Sequence, residues 1–246
     1  MSRTAGVATL GVNRRQFCAL GWFPLLRPRH IGLAGARFRI LRNGRSKRRY
    51  LRIHGNEETA RQVLERHMET HEGIAYVTES RTRLVAVESL KLDPNRMFSR
   101  VGAEANLRQL NPGVGEERVR SALGVLDGGR ERLVRALTPP QGGVTIALHN
   151  NSAGYSVAEE VPISDQTSLR EAHNPHAFFL CTDPRDFEVL KSSPYNVVLQ
   201  HGPKQDDGSL SRLAAAHGFR YVNLEVAAGE AERQREMLNW LEWYLR

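Results

Sequence analysis

Val144-Thr145-Ile146-Ala147-Leu148-His149-Asn150-Asn151 is the stretch from which the chain is best read. Its first five residues are apolar or β-branched and uncharged, which predicts a strand, and that strand ends on a histidine followed by two amides. Downstream, residues 150–175 are polar and turn-rich and read as a long surface loop. Residues 178–181 and 197–199 read as short apolar strands separated by a helix over 185–191. A helix over 209–217, a strand over 221–226 and a closing helix over 231–245 follow, the last with Met237, Trp240, Leu241 and Tyr244 at core spacing. Upstream, residues 36–41 and 50–53 read as strands joined by the hairpin turn Arg42-Asn43-Gly44-Arg45. A helix with Val63, Leu64 and Met68 on one side spans 59–71, and strands span 74–77 and 84–87. Residues 116–137 are helical with an interruption at Asp127-Gly128-Gly129. Strands alternating with helices predict an α/β fold whose largely parallel sheet carries helices on both faces; the closely spaced early strands allow an antiparallel part.

The chain has 246 residues, 40% hydrophobic and 25% charged, with a formal net charge of +8. That composition excludes collagen-like, disulfide-scaffold and largely disordered classes. No apolar run reaches the ~18–20 residues of a membrane-spanning helix. The positive charge is not a basic face. Residues 1–52 hold 13 Lys/Arg and no Asp/Glu, so the other 194 residues carry 22 basic against 27 acidic groups. Within the basic segment, Asn13-Arg14-Arg15-Gln16-Phe17 resembles a twin-arginine export motif. Residues 17–26 supply its apolar stretch and Ala34-Gly35-Ala36 a small-x-small cleavage site. The expected division is therefore a signal segment over 1–36 and a catalytic domain over 37–246, exported to the periplasm; without cleavage and export the chain stays cytoplasmic. Cys18 falls in the signal, and Cys181, in an apolar run, is expected to be a buried thiol.

Four short segments carry candidate chemistry. His54-Gly55-Asn56-Glu57 follows a predicted strand and places an imidazole and a carboxylate where both can turn onto one zinc ion. His149 ends another predicted strand, and sites in parallel α/β sheets gather at the carboxyl ends of strands. Asp93-Pro94-Asn95-Arg96 offers Asn95 beside a guanidinium whose fork matches a carboxylate. Glu225 closes the strand Tyr221-Val222-Asn223-Leu224-Glu225, where a carboxylate beside a metal can take a proton from water. His67 and His71, four apart on one helix, read as a solvated face, and Tyr155 and Tyr195 as possible cleft residues.

In this order the four segments resemble the zinc carboxypeptidase superfamily, near its succinylglutamate desuccinylase and aspartoacylase branch, over residues 37–246. The resemblance implies a three-layer α/β/α sandwich with a mixed, mostly parallel sheet and one catalytic Zn2+. It implies His54, Glu57 and His149 as metal ligands, Asn95 and Arg96 as holders of the substrate carboxylate, and Glu225 as general base. Arg81, Arg83 and Arg100 compete as the arginine that steadies the oxyanion, with Arg100 preferred for its nearness to Arg96. The pattern departs from the deacylases at Ala147, where they carry Asp. The implied function is hydrolysis of an amide next to a free carboxylate, as in a metallocarboxypeptidase or an N-acyl amino acid deacylase. The substrate would be a small peptide or N-acyl amino acid, with no nucleic acid as partner, and nothing in the pattern specifies an oligomeric state. The alternatives are a non-catalytic, metal- or ligand-binding relative of the same fold, and a nucleic-acid-binding protein that uses the basic arm.

Overall fold

A computed structural model describes Met1 and residues 29–152, 154–202 and 205–245. Among the described residues, short and largely apolar strands build one mixed sheet of nine strands. In chain order the sheet takes β1 (Arg29–Leu33), β2 (Ala36–Asn43), β3 (Arg49–Arg52) and β4 (Gly73–Thr78). A separate small hairpin is formed by β5 (Val85–Val87) and β6 (Leu90–Leu92). The main sheet continues with β7 (Thr145–Asn151), β8 (Gln166–Ser168), β9 (Phe178–Cys181), β10 (Asn196–Leu199) and β11 (Tyr221–Ala227). Across the sheet the order is β1-β2-β4-β3-β7-β11-β9-β10-β8. The central block β4-β3-β7-β11 is parallel throughout, and antiparallel pairs flank it.

Helices cover both faces, so the architecture is an α/β/α sandwich. They are α1 (Glu58–Thr70), α2 (Arg100–Leu110), α3 (Glu116–Leu137), the short α4 (Val157–Glu160), α5 (Pro184–Leu190), α6 (Leu210–His217) and α7 (Ala231–Tyr244). Ala60 and Leu64 of α1, Phe187 of α5 and Met237 of α7 pack with Ile146, Leu148, Val222 and Leu224 in one core. Leu107 of α2, Leu126 of α3 and Leu210 of α6 pack with Leu51, Ala147 and Tyr221 in the other. Neighbouring residues of β3, β7 and β11 thus feed opposite cores, as strands buried on both faces must.

That double burial corrects the predicted hairpin of β2 and β3. Gly44 does take a left-handed turn at φ 60°, but β4 lies between the two strands, antiparallel to β2 and parallel to β3. Tyr50 and Leu51 are both essentially buried and belong to opposite cores, so β3 lies inside the sandwich, and β4 and β7 pair with its two edges. The interruption predicted at Gly128-Gly129 is also absent, because α3 runs unbroken from Glu116 to Leu137. A Cβ on Gly129 would come within 2.9 Å of Leu33 Cδ1, so the glycine lets β1 lie close against the helix. The expected loop over 150–175 contains the end of β7, α4 and the edge strand β8.

Residues 13–26, read as the export signal, lie outside the described residues. The boundary expected after residue 36 falls at the β1–β2 hairpin: Leu33 pairs with Ala36, and both are buried. Cys181 is fully buried, and burial pushes its thiol well above the ordinary value. Among the described residues no helix is long and apolar enough to cross a membrane.

His67 is not on a solvated face. It is buried between α1 and α7, stacked on His71 at 4.0 Å between ring centroids, with Nε2 3.3 Å from Glu242 Oε1. The same carboxylate accepts a 2.6 Å hydrogen bond from Tyr50 and faces Arg48 Nε at 3.3 Å. Burial raises the Glu242 pKa, but His67, Tyr50 and Arg48 outweigh it and leave the group below its ordinary value. A depressed carboxylate stabilises the fold above its unfolded pKa and loses that contribution as pH falls through the folded value. Glu242→Gln is expected to cost about 1.5–3 kcal/mol at neutral pH and to flatten the loss of stability below about pH 4.5. Urea unfolding across that range checks this; parallel curves for the two proteins would refute it.

Candidate metal centre and cleft

The site lies where the parallel block ends. In β7 and β11, Thr145, Ala147 and His149 share a sheet face with Tyr221, Asn223 and Glu225, since alternate residues point the same way. The register pairs His149 with Glu225 directly, so both leave their strands side by side on the face that carries α3 and α6. The third segment is the turn after β3. Arg52, only 1% exposed, donates from all three guanidinium nitrogens to backbone carbonyls: Nε to Glu57 at 3.2 Å, Nη1 to Thr78 at 3.1 Å and Nη2 to Gly55 at 2.5 Å. A buried guanidinium is costly unless its donors are used, and here they clamp the 54–57 turn. Gly55 is required at this point. Its N–H donates to Thr82 O at 3.0 Å, and a Cβ would stand 2.5 Å from Ser80 and Thr82 backbone atoms.

The result is a buried cluster. One ligand atom each from His54, Glu57 and His149 lies within 4.8 Å of the others. Glu57 Oε1 is 2.7 Å from His54 Nδ1 and 3.4 Å from His149 Nδ1. Glu57 Oε2 is buried and has no hydrogen-bond partner among the described residues. A buried carboxylate oxygen without a donor is expensive, and the two imidazole nitrogens against Oε1 of the same carboxylate complete a donor set that zinc accepts. The residues present therefore fit a divalent ion. His54 Nε2 is 2.8 Å from Asp93 Oδ1, an arrangement that fixes the ring and leaves Nδ1 as the ligand atom.

Electrostatics agree. Burial pulls the His54 imidazole down, but Asp93 and Glu57 against its two nitrogens outweigh that and hold it at about 9. Burial likewise raises Glu57, yet the facing His149 and His54 hold it at about 2. Asp93, also raised by burial, is held below the ordinary carboxylate range by His54 and Arg83. The turn is thus built to surround positive charge.

Glu225 differs. Burial comes first among the causes that raise it, and the Glu57 carboxylate adds to it. Asn223 Nδ2 donates to Oε1 at 3.1 Å and Asn151 Nδ2 to Oε2 at 3.3 Å. A second bond, from Asn151 Nδ2 to His176 O at 2.8 Å, fixes Asn151. The carboxylate is therefore held in place, with its pKa above the ordinary carboxylate value.

A cavity of about 480 Å³ opens over this cluster. His54, Glu57, His149, Glu225, Asn95 and Arg96 all border it. Asn95 Oδ1 accepts from Leu210 N at 3.2 Å, which orients the amide and ties its turn to the start of α6. Arg96 Nη1 is 3.5 Å from Asp207 Oδ2. Gly208, at φ 78°, makes this junction possible: its carbonyl accepts from Phe98 N at 3.0 Å, and a Cβ there would stand 2.4 Å from Arg96 O. Tyr155 borders the cavity and Tyr195 does not.

Arg100 is the expected site residue that is not brought in. It begins α2, is half exposed, pairs with Asp127 of α3 and does not border the cavity. Its nearness to Arg96 in sequence misled because the first turn of a new helix rotates it away. Arg83 borders the cavity instead, 3.5 Å from Glu57 Oε1 and 3.3 Å from Asp93 Oδ2. Sequence reasoning gave no role to Arg52, Asp93, Asn151 or Asn223. Asp93 could have been found, since it opens the same short segment as Asn95 and Arg96.

No protein-family model matches this sequence, and no curated protein matches it. A solved structure described as a "putative metallopeptidase" from Shewanella amazonensis SB2B is 11% identical. The match covers 88% of this chain and 86% of that one, with a TM-score of 0.43. Likeness at that level decides nothing about this chain, and the functional reading rests on the side chains themselves.

Proposed function

We propose that this chain is a zinc-dependent hydrolase that cleaves an amide bond next to a free carboxylate, of the metallocarboxypeptidase or N-acyl amino acid deacylase type. The observation that carries the reading is the buried His54–Glu57–His149 cluster with Glu225 in direct register beside it. The resemblance of the four segments to the zinc carboxypeptidase superfamily supports it. A zinc ion at these atoms supplies Lewis acidity toward a carbonyl and makes water more acidic. The protein does the rest. Asn95 and Arg96 bind the carboxylate and set the scissile amide over the cluster. Glu225 takes a proton from the attacking water and passes it to the leaving amine. Arg83, beside the ligand turn, donates to the oxygen on which charge develops, an effect of about 3–4 kcal/mol for a well-placed donor.

Arg83 also weakens the case for a non-catalytic relative, because it brings a guanidinium to the cavity beside the ligand turn. The export reading of the amino-terminal segment extends the proposal to peptides met outside the cytoplasm.

The test is hydrolysis of C-terminal dipeptides and N-acyl amino acids by the purified full chain. Release of the free amino acid is expected, with loss in a chelator and recovery on adding about one equivalent of zinc. Turnover that is indifferent to chelation, or absent across the panel in zinc-loaded protein, would sink the proposal.

A further inference from the structure

Among the described residues, five arginines have a guanidinium nitrogen that is buried and unpartnered: Arg48, Arg49, Arg130, Arg212 and Arg233. Four of them use other nitrogens. Arg48 donates to Leu245 O, Arg49 to Arg48 O, Arg130 to Met97 O, and Arg233 pairs with Glu171. Among the described residues, the Arg212 guanidinium alone of the five makes no hydrogen bond or ion pair. It is also the only one of the five that borders the cavity over the ligand cluster. Its Nη1 is buried although the side chain as a whole is only partly so, and a buried guanidinium N–H with no acceptor is costly, so its position calls for a ligand.

The local structure places Arg212 next to the carboxylate clamp. It lies in the first turn of α6, where Ser209 Oγ caps its own N–H at 3.3 Å. Two residues earlier, Leu210 N is bound to Asn95 Oδ1. The same docking that orients Asn95 therefore delivers Arg212. The three arginines that border the cavity are not equivalent: Arg83 already faces Glu57 and Asp93. Arg96 is partly neutralised by Asp207, whereas Arg212 keeps its full charge for an incoming anion.

We propose that Arg212 is a second carboxylate-binding residue, sharing with Arg96 the free carboxylate of the ligand. This rests on the hydrolase reading for which carboxylate is meant, but not for the anion site itself. Two guanidinium groups on one carboxylate fill both oxygens, and would make the site discriminate sharply against an amide.

The experiment uses the zinc-loaded full chain carrying Glu225→Gln, so that ligands bind without turnover. Affinities for N-benzoylglycine and N-benzoylglycinamide are measured by calorimetry with Arg212 present and after Arg212→Gln or Arg212→Lys. With Arg212 present, the carboxylate is expected to bind about 10- to 100-fold more tightly than the amide. Arg212→Gln should narrow that preference at least about fivefold and Arg212→Lys less, with zinc content unchanged. The melting temperature should hold or rise in Arg212→Gln, because no protein acceptor loses a partner; a structural arginine would lower it instead. A smaller narrowing, or no carboxylate preference in the parent, overturns the assignment. Turnover by the wild-type chain separately decides the hydrolase reading, so either can fail without the other.

Discussion

Glu225→Gln is expected to lower kcat by about 10²- to 10⁴-fold, the usual contribution of a positioned general base, while zinc stoichiometry and fold persist. The expectation depends on what the substitution does locally. Both Glu225 oxygens accept amide hydrogens, from Asn223 and from Asn151, so a glutamine places an NH2 group against one of two donors. Asn151 cannot rotate freely, because its Nδ2 also serves His176 O. Asn223 can: its side chain makes no other hydrogen bond among the described residues, and its Oδ1 is buried without a partner. A flip of the Asn223 amide presents Oδ1 to the new NH2 group and restores the pair. The variant therefore keeps its shape and loses only the ability to accept a proton. Kinetics with an N-acyl amino acid, metal analysis and a melting curve check this together. Activity within about tenfold of wild type would remove Glu225 from the base role.

The later strands and helices of the sandwich were legible because each strand is short and apolar and each helix has its own spacing. Residues 178–181, 185–191 and 221–226 illustrate this, matching β9, α5 and β11 to within a residue. Failures came where tertiary contact overrode a local signal. Asn43-Gly44 is a good turn, yet it does not say which strand will lie beside β2, and the neighbour is the later strand β4. Gly128-Gly129 reads as a break, but α3 runs through it, and the missing Cβ at Gly129 leaves room for Leu33 of β1. The first strand was hidden because Arg29, His30 and Ile31 sit in a basic stretch that reads as leader. In the cleft, strand ends pointed to His54, His149 and Glu225. The arginines could not be sorted without the fold, since Arg83, Arg100 and Arg212 differ in where they point and not in any local pattern.

Loss of a metal ligand is the other large effect, and the paired behaviour of His54 and Asp93 makes it specific. His54→Ala removes one of the three atoms of the buried cluster and should weaken zinc binding by more than about 100-fold, beyond the 10- to 100-fold usual for an outer partner. Asp93→Asn should fall within that outer range. An asparagine can still accept from His54 Nε2 and from Asn95 N, as Asp93 Oδ1 does at 2.8 Å to each, but it no longer carries the charge that favours a basic, correctly turned imidazole. Stability gives an independent measure. Zinc at 100 times its Kd stabilises a native site by about 2.7 kcal/mol, or about 5–10 °C in melting temperature for a chain of this size. The wild type should show that rise, Asp93→Asn a reduced one at the same zinc concentration, and His54→Ala none. An undiminished rise in His54→Ala would exclude His54 as a ligand. Equal loss in both variants would place Asp93 on the ion itself. The graded order is what the geometry requires, because Asp93 reaches the cluster through the far nitrogen of His54 and through Arg83, and gives no atom to the cluster itself.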